Sequence, residues 1–152
     1  MTYERQPYRG LPDPAYKPEF YADTVSKRLF AWIIDSIITT VLCLFLIPFT
    51  AFTAIFYFPA FFLVVGLVYR TATIAGGSAT WGMRFVALEF RDHRGERLTT
   101  GLAFLHSLGF TVSMSMVAPQ VVSVVLMMIT QRGQGLTDMV LGTVAINRAV
   151  RL

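Results

Sequence analysis

Asp35 stands alone among apolar neighbours in the stretch Leu29–Ile47, LFAWIIDSIITTVLCLFLI. A carboxyl group at that depth in a membrane helix costs roughly 2.5–3.5 kcal/mol on insertion scales, so it requires a partner, water or a task. Arg28 lies seven positions before it and Thr39 four positions after it. Those spacings put all three on nearly one helical face, with Arg28 and Asp35 about 10.5 Å apart along the axis. Ser36 and Thr40 widen the polar stripe. Such a stripe can bind or pass an ion or a proton, with Asp35 as the titrating or coordinating group. The same residues can equally lock helix packing through a buried ion pair or hydrogen bond. The donors open to Asp35 are Arg28, the neighbouring hydroxyls, and His106 from another segment.

The remaining chemistry-bearing residues are fewer. Asp138 falls in the polar, glycine-flanked stretch QGLTD, where capping a turn or helix is the first expectation. His106 lies in an apolar run; its default is a satisfied buried imidazole, with a proton relay as the sharper role. Met114, Met116, Met127 and Met128 lack neighbouring Cys or His at ligand spacing, so they read as packing rather than a soft-metal site. Cys43 is the only cysteine and sits inside the first apolar run, which excludes an internal disulfide. The zinc-protease, dithiol, serine-hydrolase, phosphate-loop and dinucleotide signatures are missing from the sequence. No catalytic residue, metal site or cofactor is therefore expected, and the chain reads as a non-enzyme.

The elements that must hold these residues follow from hydropathy. With 55% hydrophobic and 14% charged residues among 152, the composition fits a single polytopic membrane domain better than a soluble globule. Residues 1–22 carry four of the seven prolines and read as a flexible or polyproline-like tail. That tail is either a solvated leader or a docking strip using Tyr3, Tyr8, Tyr16 and Tyr21. The domain proper spans residues 23–152. Asp23, Thr24 and Ser26 offer N-caps to a first helix over about 24–48, and a second is expected over about 50–70. Pro48 at their junction implies a tight antiparallel hairpin, and Pro59 a kink in the second helix.

Residues 71–100, entered at Arg70, form a basic loop with a short strand near Arg84–Arg91, loosened by Gly76, Gly77 and Gly82 and anchored by Trp81. Residues 101–130 make either one long helix or a broken, re-entrant pair over 101–117 and 119–130, with Pro119 at the break and Gly109 interrupting the first half. A tail over 131–152 carries a second strand, Gly142–Asn147.

Charge orders these segments. Five Lys or Arg fall in the N-terminal segment, five in Arg70–Arg97 and three after residue 130, with none between the first two spans. The positive-inside rule puts the N-terminus and middle loop in the cytoplasm. The broken pair brings the last three arginines there too and lets GTVAIN pair with RFVALEF, which favours it over one long helix. A net charge of +4 placed between apolar runs points to anionic lipid headgroups, not nucleic acid.

Taken in order, these residues resemble the RDD family of small bacterial membrane proteins. That family is named for an arginine opening the first helix, an aspartate within it and a second aspartate later. The matches are Arg28 and Asp35 in RLFAWIID and Asp138 in GLTDMVLGTVAIN, with TWGMRFVALEFRDHRG echoing the family's middle loop. The resemblance covers about residues 25–148. Thr137 stands where the family commonly has histidine, and Gly82-Met83 where it has Gly-Lys, the charge coming at Arg84.

The resemblance implies an all-α polytopic fold in the bacterial inner membrane. It also implies a polar site at Arg28, Asp35 and Asp138 and transport of an unidentified ion or solute. The residue reading adds Thr39 and His106 to that site and expects protomers to associate into a homo-oligomer around it. The competing expectation is an accessory or regulatory subunit of a larger membrane complex, contacting partners through the Phe45–Phe62 hairpin.

Overall fold

The computed structural model describes residues 10–148. The first apolar run, free of Gly and Pro, forms α1, Thr24–Leu46. Its buried positions are Thr24, Ala31, Asp35, Thr39 and Cys43, while Leu29, Phe30, Ile37, Val41, Leu44 and Phe45 are exposed. Small and polar residues thus face inward and large apolar ones outward. In water this pattern would be unstable, whereas in lipid it lets helix backbones approach while chain-like side chains meet acyl tails. Asp23 stands at the N-cap in a left-handed conformation but makes no side-chain capping bond.

Pro48 opens a 3-10 turn over Ile47–Thr50, and Ala51 and Phe52 take left-handed backbone at φ 52° and 64°. A second 3-10 turn, Thr53–Tyr57, leads into α2, Phe58–Gly77. The expected span 50–70 is therefore displaced. Pro59 lies in the first turn of α2 and does not kink it, because a proline there lacks only an N–H that has no helical partner anyway. The shift carries Arg70, expected in the loop, into the body of α2. Two stretches, Pro18–Thr50 and Thr53–Gly77, are long and apolar enough to cross a membrane.

The presumed loop 71–100 is also more ordered than expected. Gly76 and Gly77 belong to the last turn of α2, which ends at Ser78 with φ 55°. A short helix α3, Trp81–Phe85, follows, capped by Thr80 Oγ1 accepting the Met83 N–H at 3.2 Å. The strand begins at Leu88, four residues later than Arg84, because α3 runs to Phe85 and Ala87 turns left-handed at φ 57°. This strand, β1 (Leu88–Arg91), pairs antiparallel with β2 (Val144–Asn147), Leu88 opposite Asn147 and Arg91 opposite Val144. The anticipated partnership of the two segments is present.

The run 101–130 is broken. Helix α4, Thr100–Ser115, and α5, Val117–Ile129, meet at Met116 with a bend of 117°. Met116 is extended, and Pro119 occupies the first turn of α5, where it starts the second helix. Gly109 does not interrupt α4. A methyl group there would press on the Thr137 side chain, so Gly109 admits the short helix α6, Leu136–Leu141.

The tail is packed where described. Leu11, Phe20 and Tyr21 are buried with Val144 and Ile146 of β2. Asn147 Nδ2 donates to the carbonyls of Glu19 at 2.9 Å and Ala22 at 2.8 Å, and Lys27 Nζ donates to its Oδ1 at 2.7 Å. Residues 10–22 are accordingly a strap over the sheet and not a solvated leader. Of the proposed tyrosine strip, Tyr16 is exposed and the Tyr21 hydroxyl bonds the Pro12 carbonyl at 2.6 Å. Tyr3 and Tyr8 lie outside the described residues.

Candidate functional site

Two buried carboxylates organise the interior. Asp35, on the inward face of α1, accepts the Tyr69 hydroxyl at 2.6 Å and the Gly82 N–H at 2.9 Å on Oδ1. Its Oδ2 accepts the Thr80 hydroxyl at 2.6 Å, and Arg70 Nη1 stands 3.8 Å away. The turn from α2 into α3 delivers most of these donors, since Thr80 caps α3 and Gly82 lies in its first turn. Only glycine fits at 82: a Cβ there would collide with the Ala31 carbonyl and the Asp35 carboxylate.

Asp138, in the first turn of α6, is completely buried. Its Oδ2 takes Arg28 Nη1 at 2.6 Å and the Gly135 N–H at 3.0 Å; its Oδ1 faces His106 Nε2 at 2.7 Å and accepts Thr143 Oγ1 at 3.0 Å. It does cap its own turn, as its sequence context suggested, and it binds Arg28 and His106 besides. Burial alone would raise its pKa, but the Arg28 charge and the His106 hydrogen bond outweigh that, so Asp138 is held well below the usual carboxylate range. The Phe90 ring from β1 lies under the Arg28 guanidinium at 5.5 Å and against His106 at 4.3 Å.

The expected polar stripe is thereby rewired. Arg28 does not donate to Asp35; it reaches Asp138, and the cation nearest Asp35 is Arg70, 3.8 Å away without a hydrogen bond. Thr39 is buried, but its hydroxyl bonds the Asp35 backbone carbonyl at 2.8 Å and not the carboxylate. His106 serves Asp138, not Asp35. Sequence reasoning missed Tyr69, Arg70, Thr80, Gly82 and Thr143. Arg70 closing a charge-free run was the available signal, because the displacement of α2 to Phe58–Gly77 carries it about two turns inside the helix end.

Two cavities follow one another along α1. The larger, about 690 Å³, borders α1 from Val25 to Asp35 and reaches Arg28, Arg70, His106 and Asp138. The smaller, about 280 Å³, borders α1 from Trp32 to Thr39 and α2 from Phe62 to Arg70. Trp32, Asp35, Arg70, Phe110 and Met114 line both. On the wall common to both, the Arg70 guanidinium lies 3.8 Å from the centre of the Phe110 ring, a cation–π contact. From Val25 to Thr39 the two cavities follow about 21 Å of helix at 1.5 Å per residue.

The site offers guanidinium, imidazole, hydroxyl and thioether groups. Among the described residues no three His, Cys, Asp or Glu side chains gather as a metal cage. Met114, Met127 and Met128 line the larger cavity, and Met116 is exposed at the bend. Neither the curated proteins nor the solved structures contain a match to this chain. The model of the RDD family matches residues 22–142, a region holding Arg28, Asp35 and Asp138 together with both cavities, and the chain belongs to the RDD family of membrane proteins.

Proposed function

We propose that this protein is a multi-pass protein of the bacterial inner membrane that takes part in moving a small ion or solute. The two cavities form its path and the Arg70–Phe110 contact its constriction. The observation that carries this reading is the shared wall: the same five residues bound two cavities that succeed each other along a membrane-length helix. The aspartates hold the arginines in place; the arginines and Phe110 meet the solute. No step of catalysis is assigned to the chain.

The concentration of Lys and Arg at the strap, α3, the sheet and the C-terminal segment supports a cytoplasmic N-terminus against anionic headgroups. In that orientation α1 and α2 cross the bilayer, and the bent α4–α5 pair enters and returns. At 16 and 13 residues, its halves measure about 24 and 20 Å, each short of the roughly 30 Å hydrocarbon core. A protomer this small would complete its path with further copies of itself.

Uptake into proteoliposomes tests the reading. Full-length protein in phosphatidylcholine vesicles should take up radiolabelled benzenesulfonate or tetraethylammonium faster than empty vesicles, and Arg70→Gln should change that rate. Protein-independent uptake of both probes would contradict it. A second reading, an accessory subunit, draws on the hairpin tip, where Phe49 and Phe56 are 77% and 91% exposed. A larger partner retained through purification in mild detergent, and lost on Phe49→Ser with Phe56→Ser, would favour that reading instead.

A further inference from the structure

We infer that the solute of the larger cavity is an anion carried on a hydrocarbon chain, with its acidic head at Arg70 and its chain running towards α5. This rests on the transport reading for its purpose, though not for its chemistry.

Each carboxylate oxygen of the site already faces two partners. Asp35 Oδ1 holds Tyr69 and Gly82, and its Oδ2 holds Thr80 with Arg70 beyond hydrogen-bond reach. Asp138 Oδ1 holds His106 and Thr143, and its Oδ2 holds Arg28 and Gly135. A cation entering the cavity would therefore have to displace donors to find an oxygen.

Arg70 is in the opposite condition. Its side chain is only 11% exposed, yet it makes no side-chain hydrogen bond to any described residue, and its Nε is buried without a partner. A guanidinium carries several N–H donors suited to a planar acid. Leaving them unmet in a low-dielectric interior is costly. Asp35 at 3.8 Å and the Phe110 face temper the charge without satisfying the donors. The acceptor that fits is an oxyanion.

Beyond Arg70 the wall turns apolar. Leu29, Trp32, Val124, Met127 and Met128 line it, and flexible methionines adapt to an irregular chain. A volume of about 690 Å³ lies within the range that holds a drug-sized ligand, with few polar groups fixing its orientation. An acidic head joined to a linear hydrocarbon satisfies both ends. That chemistry occurs in a free fatty acid and in an anionic phospholipid of the bilayer itself.

Trp32 reports on the cavity in a Trp81→Phe background, because the chain has two tryptophans. The protein in phosphatidylcholine nanodiscs is titrated with dibromostearate, its methyl ester and dibrominated phosphatidylglycerol. Dibromostearate should quench Trp32 saturably and the ester only in proportion to its partitioning. Saturation by phosphatidylglycerol instead would name the bilayer lipid as the source and would equally support an anionic head. Arg70→Gln should weaken the saturable phase about tenfold, roughly 1.4 kcal/mol, and Arg70→Lys should largely restore it. Val124→Phe, which touches neither ion pair, should weaken stearate by narrowing the chain channel.

Equal saturation by the ester, or saturable quenching unchanged in both Arg70→Gln and Val124→Phe, would overturn the inference. Saturable stearate binding in vesicles that show no protein-dependent uptake supports the inference and removes the transport reading alone. Uptake of tetraethylammonium without stearate binding does the reverse.

Discussion

Arg28 Nη1 meets Asp138 Oδ2 at 2.6 Å across 110 positions of sequence, tying the start of α1 to α6. Asp138 is fully buried and the Arg28 side chain is 14% exposed, so losing the carboxylate leaves a half-buried guanidinium without its counter-charge. Asp138→Asn should therefore lower unfolding stability by about 3–5 kcal/mol, the range for breaking a buried pair. Thermal unfolding in detergent micelles measures it. A loss inside experimental error would mean that Arg28 finds solvent.

The same pair fixes a pH window. The folded pKa of Asp138 lies below its ordinary value of 3.8, so its stabilisation is complete above that value and fades as pH falls further. The Tm gap between wild type and Asp138→Asn should be constant from about pH 5 to about pH 8 and shrink below about pH 4. A gap that closes between pH 5 and 7 would assign the proton to a different group.

Asp35→Asn separates a structural carboxylate from a transporting one. Asparagine can still accept the Tyr69 and Gly82 hydrogen bonds but leaves Arg70 without its counter-charge. Stability should fall by about 1–3 kcal/mol, while benzenesulfonate uptake persists. Abolished uptake by a folded, monodisperse variant would return Asp35 to the role of ion carrier.

Gly82→Ala should damage the site without touching a charge. The added methyl meets the Ala31 backbone carbonyl and the Asp35 carboxylate, and the hydrogen bonds that hold the carboxylate to Tyr69 and Thr80 limit relaxation. An overpacking cost of about 1–3 kcal/mol is expected, with Tyr69 and Trp81, which meet edge to face at 5.9 Å, losing their fixed contact. Near-ultraviolet circular dichroism and unfolding together detect it; an unchanged spectrum would show that α3 can slide.

Phe110→Ala should widen the constriction. The ring is the partner of Arg70 and faces both cavities, so its removal should raise benzenesulfonate uptake severalfold in vesicles. Unchanged uptake would place the barrier elsewhere.

How much of this was legible beforehand depended on which signal carried it. The span of α1 came from an unbroken apolar run, and the pairing of GTVAIN with the loop strand from alternation and charge balance. The family's two aspartates pointed to Asp35 and Asp138. Their partners were not readable, because seven-residue spacing on a helix says which residues share a face, not which third element supplies the donors. Arg28 and Asp35 share that face and still bind different partners. The eight-residue displacement of α2 hid Arg70: hydropathy began the span at Thr50, whereas left-handed backbone at Ala51 and Phe52 and the first-turn preference of Pro59 delayed the helix to Phe58. The strap was missed for a similar reason. Proline-rich composition argues against regular structure, not against packing, and Phe20 buries itself against β2 without forming an α-helix or a strand.

Sided labelling of the two cavities addresses the central claim most directly. In a Cys43→Ala background, single cysteines replace Val124 in the larger cavity and Leu63 in the smaller. Sealed, uniformly oriented proteoliposomes then meet an impermeant anionic thiol reagent on one face at a time. Val124→Cys should react from one face and Leu63→Cys from the other, and adding Phe110→Ala should make each reactive from both. Labelling of both positions from a single face with Phe110 intact, or of neither, would contradict two cavities divided by the Arg70–Phe110 contact.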